Sequence, residues 1–293
     1  MILKNNNRII MEKLQIVDVI EYDENYKYII VLFCINKKGE SFCIKVNGYE
    51  PFFYINYNSS KYNIGDYEKI QIGTKWKKPL YRMTTSIRSC KFKELKEYQK
   101  DKKKFLKLSF KSLRDFQQCK KGFNDRVNIK NDNIRCIRYE SNISPFLRFF
   151  HEKNIDVANW IKIDKSKMIR INNENERLSR CIYEYDVNHK YISKYNISKI
   201  GPLKVLSFDI ECTSEDGSFP QFKRKNDKII QIGTTIEVFG KDSSYDYNFI
   251  VSLKESDKID NVNVINCKTE LELIKKWCDE VRKVDPDVVT GYN

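Results

Sequence analysis

The chain has 293 residues, room for one large domain or two ordinary ones, with 17 Phe and 18 Tyr as core material and too few Gly (10) and Pro (6) for a linker protein. Its net charge of +14 is uneven: residues 201–293 carry 13 Lys/Arg against 17 Asp/Glu, the first 200 carry 41 against 23, and 82–138 alone hold 18 against 6. Nine scattered cysteines without a C-x-x-C pair and two histidines, His151 and His189, exclude a zinc finger and point to free thiols in a reducing compartment. No apolar run reaches membrane-spanning length and residues 1–20 are too polar for a secretory signal, so the expectation is a soluble, intracellular protein without a membrane partner.

Segments 16–20, 28–34 and 41–46 read as strands separated by the turn stretches Asp23-Glu24-Asn25 and Lys37-Lys38-Gly39-Glu40, with 51–55 as a fourth strand of one small antiparallel sheet. The spacing of Ile87, Cys90, Leu95 and Tyr98 predicts a helix over 86–100, and 105–110 alternates as a strand. Ser112 is placed to cap a helix over 113–119. Ser144-Pro145 opens another helix through 152, with Phe146, Leu147, Phe149 and Phe150 spanning its apolar face. Segment 157–163 returns as a strand. Strands alternating with short helices make 1–200 an α+β module.

Ile200-Gly201-Pro202 marks a boundary. Directly after it, 205–212 (VLSFDIEC) reads as a buried strand ending in two acids. Strand side chains alternate, so Asp209 and Glu211 share one face and Phe208 and Ile210 the other. Neighbouring carboxylates that lose hydration repel each other, and a divalent cation is the usual remedy. A D-x-E pair on a strand is half of what a two-metal phosphodiester-cleaving site needs. Strands follow at 228–239 and 247–253. Thr269 then caps a helix to 283, with Leu271, Leu273, Ile274, Trp277, Cys278 and Val281 on one face. Asp285-Pro286 breaks it before a strand over 287–290. Three meander strands, a helix and a strand is the order of a ribonuclease-H-like α/β sheet.

Several stretches together resemble the family B DNA polymerases, of the eukaryotic replicative delta type and its large-DNA-virus relatives. Segment 203–212 (LKVLSFDIEC) looks like that family's first exonuclease motif, followed by Gly217-Ser218-Phe219-Pro220 and the stretch 227–233 (DKIIQIG). Segment 285–293 (DPDVVTGYN) is similar to the approach to the second motif. Upstream, 48–54 (GYEPFFY) and 144–150 (SPFLRFF) resemble the amino-terminal domain, and 183–187 (YEYDV) the strand leading back toward the exonuclease.

The resemblance implies an amino-terminal domain over 1–200 and the first part of a 3′–5′ exonuclease domain over 201–293. In it, Asp209 would bridge two Mg²⁺ ions and Glu211 hold the one that activates the attacking water, for hydrolysis of the terminal phosphodiester of a frayed strand. Candidate nucleic-acid contacts are Thr213, Phe219 and Asn293, and in the basic stretch Lys102, Lys103 and Lys104. The implied partners are primer-template DNA, a single-stranded 3′ end, the remainder of the polymerase and a sliding clamp. The implied location is a nucleus, or for a viral chain the host nucleus or a cytoplasmic replication site.

Two further aspartates of the family's site belong to motifs beyond Asn293, and Asp285 and Asp287, flanking Pro286, cannot replace them. The resemblance therefore implies an amino-terminal fragment that is inactive alone. The alternatives are a non-catalytic nucleic-acid-binding module built on 82–138, a split-polymerase subunit, and a stand-alone ribonuclease-H-like nuclease, against which the small number of ligands counts.

Overall fold

The computed structural model describes residues 10–73, 77–94, 100–123, 126–239 and 247–291. Its chain divides into two units, one holding the residues up to Cys34 with Ser41–Asn196, the other Ile35–Glu40 with Ile197–Asn293.

In the first unit, β1 (Met11–Glu24) and β2 (Lys27–Ile35) meet at Asn25-Tyr26, both at positive φ (50° and 59°). A two-residue turn of that hand matches the twist of its flanking strands. There follow β3 (Ser41–Asn47), β4 (Phe52–Asn56), α1 (Ile64–Glu68) and the two-residue strands β5 (Gln71–Ile72) and β6 (Lys78–Pro79). Next come β7 (Ser86–Phe92), β8 (Lys103–Ser109), α2 (Leu113–Gly122), β9 (Arg126–Ile129), β10 (Asp132–Arg135) and β11 (Arg138–Tyr139). The unit closes with α3 (Pro145–Lys153), β12 (Trp160–Asp164), β13 (Met168–Arg170), β14 (Tyr183–Asn188) and β15 (Ile192–Lys194).

These strands build a seven-stranded sheet, β13-β14-β3-β2-β1-β12-β15, and a four-stranded sheet, β11-β4-β8-β7. Two expectations are corrected here. The first sheet is mixed, because β14 runs parallel to β3. β4 does not extend it: the chain turns at Gly48 (φ 77°) and buries Phe53 and Ile55 in a separate core with Leu106, Leu108, Phe110 and Phe116. The helix predicted over 86–100 is also overturned in its described part. Ser86–Phe92 is a strand, paired antiparallel with β8 from Ser86↔Ser109 to Phe92↔Lys103, so the ladder satisfies its backbone instead of helical bonds. Leu95 and Tyr98, on which the helical spacing partly rested, lie outside the described residues.

The other helices keep their predicted starts. Ser112 caps α2, its hydroxyl accepting from the Asp115 amide at 3.0 Å. α3 carries Pro145 in its first turn and buries Phe149 and Phe150, whereas Leu147, expected on the apolar face, is exposed. The strand expected from 157 begins at Trp160, after Ala158 at φ 69°.

The second unit is a five-stranded sheet covered on one face by a helix. Its elements are β16 (Lys204–Thr213), β17 (Lys228–Val238), β18 (Tyr247–Leu253), β19 (Val262–Cys267), α4 (Glu270–Val284) and β20 (Val288–Gly291), and its order is β19-β18-β17-β16-β20. β16, β17 and β18 form the antiparallel meander, and β20 returns parallel to β16. β19, parallel to β18, was not expected; the adjacent apolar residues Val264 and Ile265 interrupt the alternation that would have marked it. Thr269 caps α4 by accepting from the Glu272 amide, and Asp285 ends it at φ 51°. Leu273, Trp277, Val281 and Val284 pack on Leu206, Ile232, Ile236, Phe249 and Val251. Leu271 and Ile274, predicted on that face, are exposed at its margin. Among the described residues no helix is long and apolar enough to cross a membrane.

Candidate functional site

Alternation along β16 sorts its side chains between two environments. Leu206 and Phe208 face α4, where the Phe208 ring lies 5.1 Å from that of Trp277, and the Trp277 indole N–H donates to Thr234 Oγ1 at 3.0 Å. Asp209 and Glu211 point to the opposite face, in register with Gly233 and Gln231 of β17. A Cβ built on Gly233 would meet nothing within 4 Å, so the space beside Asp209 is open. That space belongs to a hollow of about 630 Å³ lined by Ser207, Asp209, Thr235, Asn248 and Thr290. A register shift between Glu211 and Cys212 bends the strand just past the acids.

The expectation of a buried strand is corrected. Leu206 is the one buried residue of β16, and Asp209, Ile210 and Glu211 are exposed. Water screens the repulsion between the carboxylates, so no cation is needed to keep the strand folded. What survives is the shared orientation of two oxygen donors toward an open face. Among the described residues no group of three or more His, Cys, Asp or Glu is placed to hold a metal.

Thr213 ends β16 and closes the foot of the following loop, its hydroxyl contacting the Lys228 carbonyl at 3.4 Å and accepting from the Lys228 amide at 3.3 Å. Phe219 projects from that loop, 84% exposed, and Phe222, not singled out in the sequence, is 93% exposed. Asp227 holds the loop from within. Its buried carboxylate accepts from the amides of Glu215 (3.1 Å) and Gln221 (2.8 Å) and pairs with Arg224. Its one sequence signal is position, an acid at the foot of a polar loop. Asp287 is no ligand candidate: it accepts from the Lys204 amide at 2.8 Å, and burial raises its carboxyl above the usual value.

Asn293 lies outside the described residues. Lys102, Lys103 and Lys104 are exposed and belong to the first unit, where Lys103 Nζ pairs with Glu94 at 2.9 Å.

Residues 136–293, more than half of the chain, match the family model described as the exonuclease domain of DNA polymerase family B. The chain belongs to the family B DNA polymerases. Among its relatives, the DNA polymerase of Acanthamoeba polyphaga mimivirus is 33% identical over 290 residues, covering 94% of this chain and 16% of that protein. The DNA polymerase delta catalytic subunit of Plasmodium falciparum is 31% identical, covering 92% of this chain and 26% of that protein. The solved structure of the family B DNA polymerase from the archaeon Pyrobaculum calidifontis superposes with a TM-score of 0.66 at 17% identity, over 96% of this chain and 30% of that one. This family B chain thus spans less than a third of each of these proteins, and its mixed sheets with few helices fit an exonuclease domain.

Proposed function

We propose that this chain is the amino-terminal part of a replicative family B DNA polymerase, an α+β amino-terminal domain over 1–200 followed by the first part of a ribonuclease-H-like 3′–5′ exonuclease domain over 201–293. One observation carries the reading: Asp209 and Glu211 share the open face at the end of β16, inside the region matched to the family's exonuclease domain. The partners of this reading are primer-template DNA, the rest of the polymerase and a sliding clamp, at a nuclear or viral replication site.

The donor set suits Mg²⁺. That ion keeps several waters and is held by one or two carboxylates together with substrate phosphate, and Asp209 and Glu211 offer only oxygen ligands on a face open to solvent. When bound, it supplies charge neutralisation at the phosphodiester and an acidified water. The protein's own residues orient the substrate. Phe208 packs behind the acids and fixes the strand's rotation, the bare Cα of Gly233 leaves room for the terminal nucleotide, and the loop anchored by Asp227 presents the Phe219 ring for stacking on the unpaired base.

The test is excision of a mismatched 3′ end by a polymerase polypeptide containing this chain. Asp209→Ala and Glu211→Ala should each lower excision on the order of a hundredfold or more, since even outer partners of metal ligands are worth 10- to 100-fold, while extension of a matched primer persists. Unchanged excision in Asp209→Ala would remove the acidic strand from the chemistry. A second reading, a nucleic-acid-binding module, is favoured by the basic excess of residues 82–138 and is compatible with the first.

A further inference from the structure

The register shift beside the acids comes from one extra residue in β17. The pairs run Asp209↔Gly233, Ile210↔Ile232 and Glu211↔Gln231, and the next is Cys212↔Ile229, so Ile230 stands opposite no residue of β16. A bulge of this kind sharpens the local twist, re-aims neighbouring side chains and leaves backbone groups outside the ladder. It also resets the alternation. Ile229 and Ile232 both pack into the core under α4, which an unbroken period of two would not allow.

A side chain from another element holds this bulge. The Ile229 amide donates to Glu270 Oε1 at 2.8 Å, between residues 41 positions apart in the chain. A charged acceptor makes this a strong hydrogen bond. Glu270 is the first residue of α4 after its cap Thr269, and it is half-buried. The other acid of that first turn, Glu272, folds back on its own helix end and accepts from the Lys268 amide at 2.8 Å. Thr269 and Glu272 thus serve the helix, and Glu270 serves the sheet. The helix is itself fixed to the sheet by Leu273 and Trp277, so the bond ties the bulge to the core.

We propose that Glu270 is a positioning residue for the acidic pair: by holding the bulge at Ile229 it sets the twist at which Glu211 leaves the ladder, and with it the spacing of the Glu211 and Asp209 carboxylates. The inference rests on the exonuclease reading above. Glu270 acts through the backbone and is not a ligand, since its Oε1 is turned to the Ile229 amide and among the described residues no group of three or more His, Cys, Asp or Glu is placed to hold a metal. The acids need such a support because they are exposed at the end of β16, where burial does not fix them. Mg²⁺ demands near-ideal octahedral geometry, so a small change in twist between its two carboxylates weakens its binding.

Excision of a mismatched 3′ end across a Mg²⁺ titration, in a polymerase polypeptide containing this chain, tests it. Glu270→Ala should raise the Mg²⁺ concentration for half-maximal excision roughly tenfold, with the rate recovering at high Mg²⁺. Glu270→Gln keeps the Oε1 acceptor and should restore the normal requirement. Thr269→Ala weakens the same helix end without touching the bulge and should leave the requirement unchanged. With EDTA present, deuterium exchange of the amides over 228–231 should quicken in Glu270→Ala and stay as in the unaltered protein in Glu270→Gln, a readout independent of metal and activity. A normal Mg²⁺ requirement in Glu270→Ala, an equal rise in Thr269→Ala, or a Glu270→Gln variant as impaired as Glu270→Ala overturns the proposal. Unchanged excision in Asp209→Ala removes the exonuclease reading itself, and this inference with it.

Discussion

Gly291 and Phe208 illustrate how one atom constrains the acidic strand. A Cβ at Gly291 would lie 2.9 Å from the Phe208 ring, which is itself backed by Trp277. Gly291→Ala should therefore displace the ring or β20 and destabilise the second unit by about 1–3 kcal/mol, as overpacking does, read as a lower urea midpoint. His189 offers a pH-dependent counterpart in the first unit. It packs edge-on against Tyr49 at 5.6 Å, and burial, with help from Lys153 and Lys190, lowers its pKa from 6.5 against the opposing pull of Glu152. The unfolded chain binds a proton that the fold refuses, so stability is complete above pH 6.5 and declines as pH falls from there through the lowered folded value. Thermal melts from about pH 8 down to about pH 5 should show this decline, and His189→Gln should flatten it. Of the residues near the acids, the sequence made Asp209 and Glu211 visible through simple alternation. It was silent on the hydrogen bonds of Asp227 across its loop and on the contact between Gly291 and Phe208, because these join residues whose meeting depends on the folded chain.

Elements with strong local signals were legible, and those held by partners were not. Thr269, Ser112 and Pro145 each mark a helix start because the capping hydroxyls of the first two and the fixed φ of the proline act within one turn. Thr269→Ala should cost about 1 kcal/mol, seen as faster amide exchange in the first turn of α4 with the β16–β17 ladder unchanged. β7 was misread because Ile87 and Cys90 fit a helical period as easily as a strand exposed on one side. Its pairing with β8 decides the matter, and no window of sequence contains that pairing. β19 escaped for a related reason: its parallel bond to β18 supplies what its own composition lacks.

At the scale of the molecule, charge and cores separate along the chain. The first 200 residues hold the basic excess and two large cores, while 201–293 are net acidic around a smaller core under α4. The carboxylates proposed to hold Mg²⁺, Asp209 and Glu211, lie in the acidic part. The sequence by itself determined the family, the helix caps, the basic stretch and the shared orientation of Asp209 and Glu211, all of which rest on contiguous motifs or on the periods of single elements. Only the tertiary structure decided that the acids are solvated and that β4 and β7 join a separate sheet. The physical reason is that strand pairing and burial are settled by contacts between distant segments, whose energies no local pattern encodes.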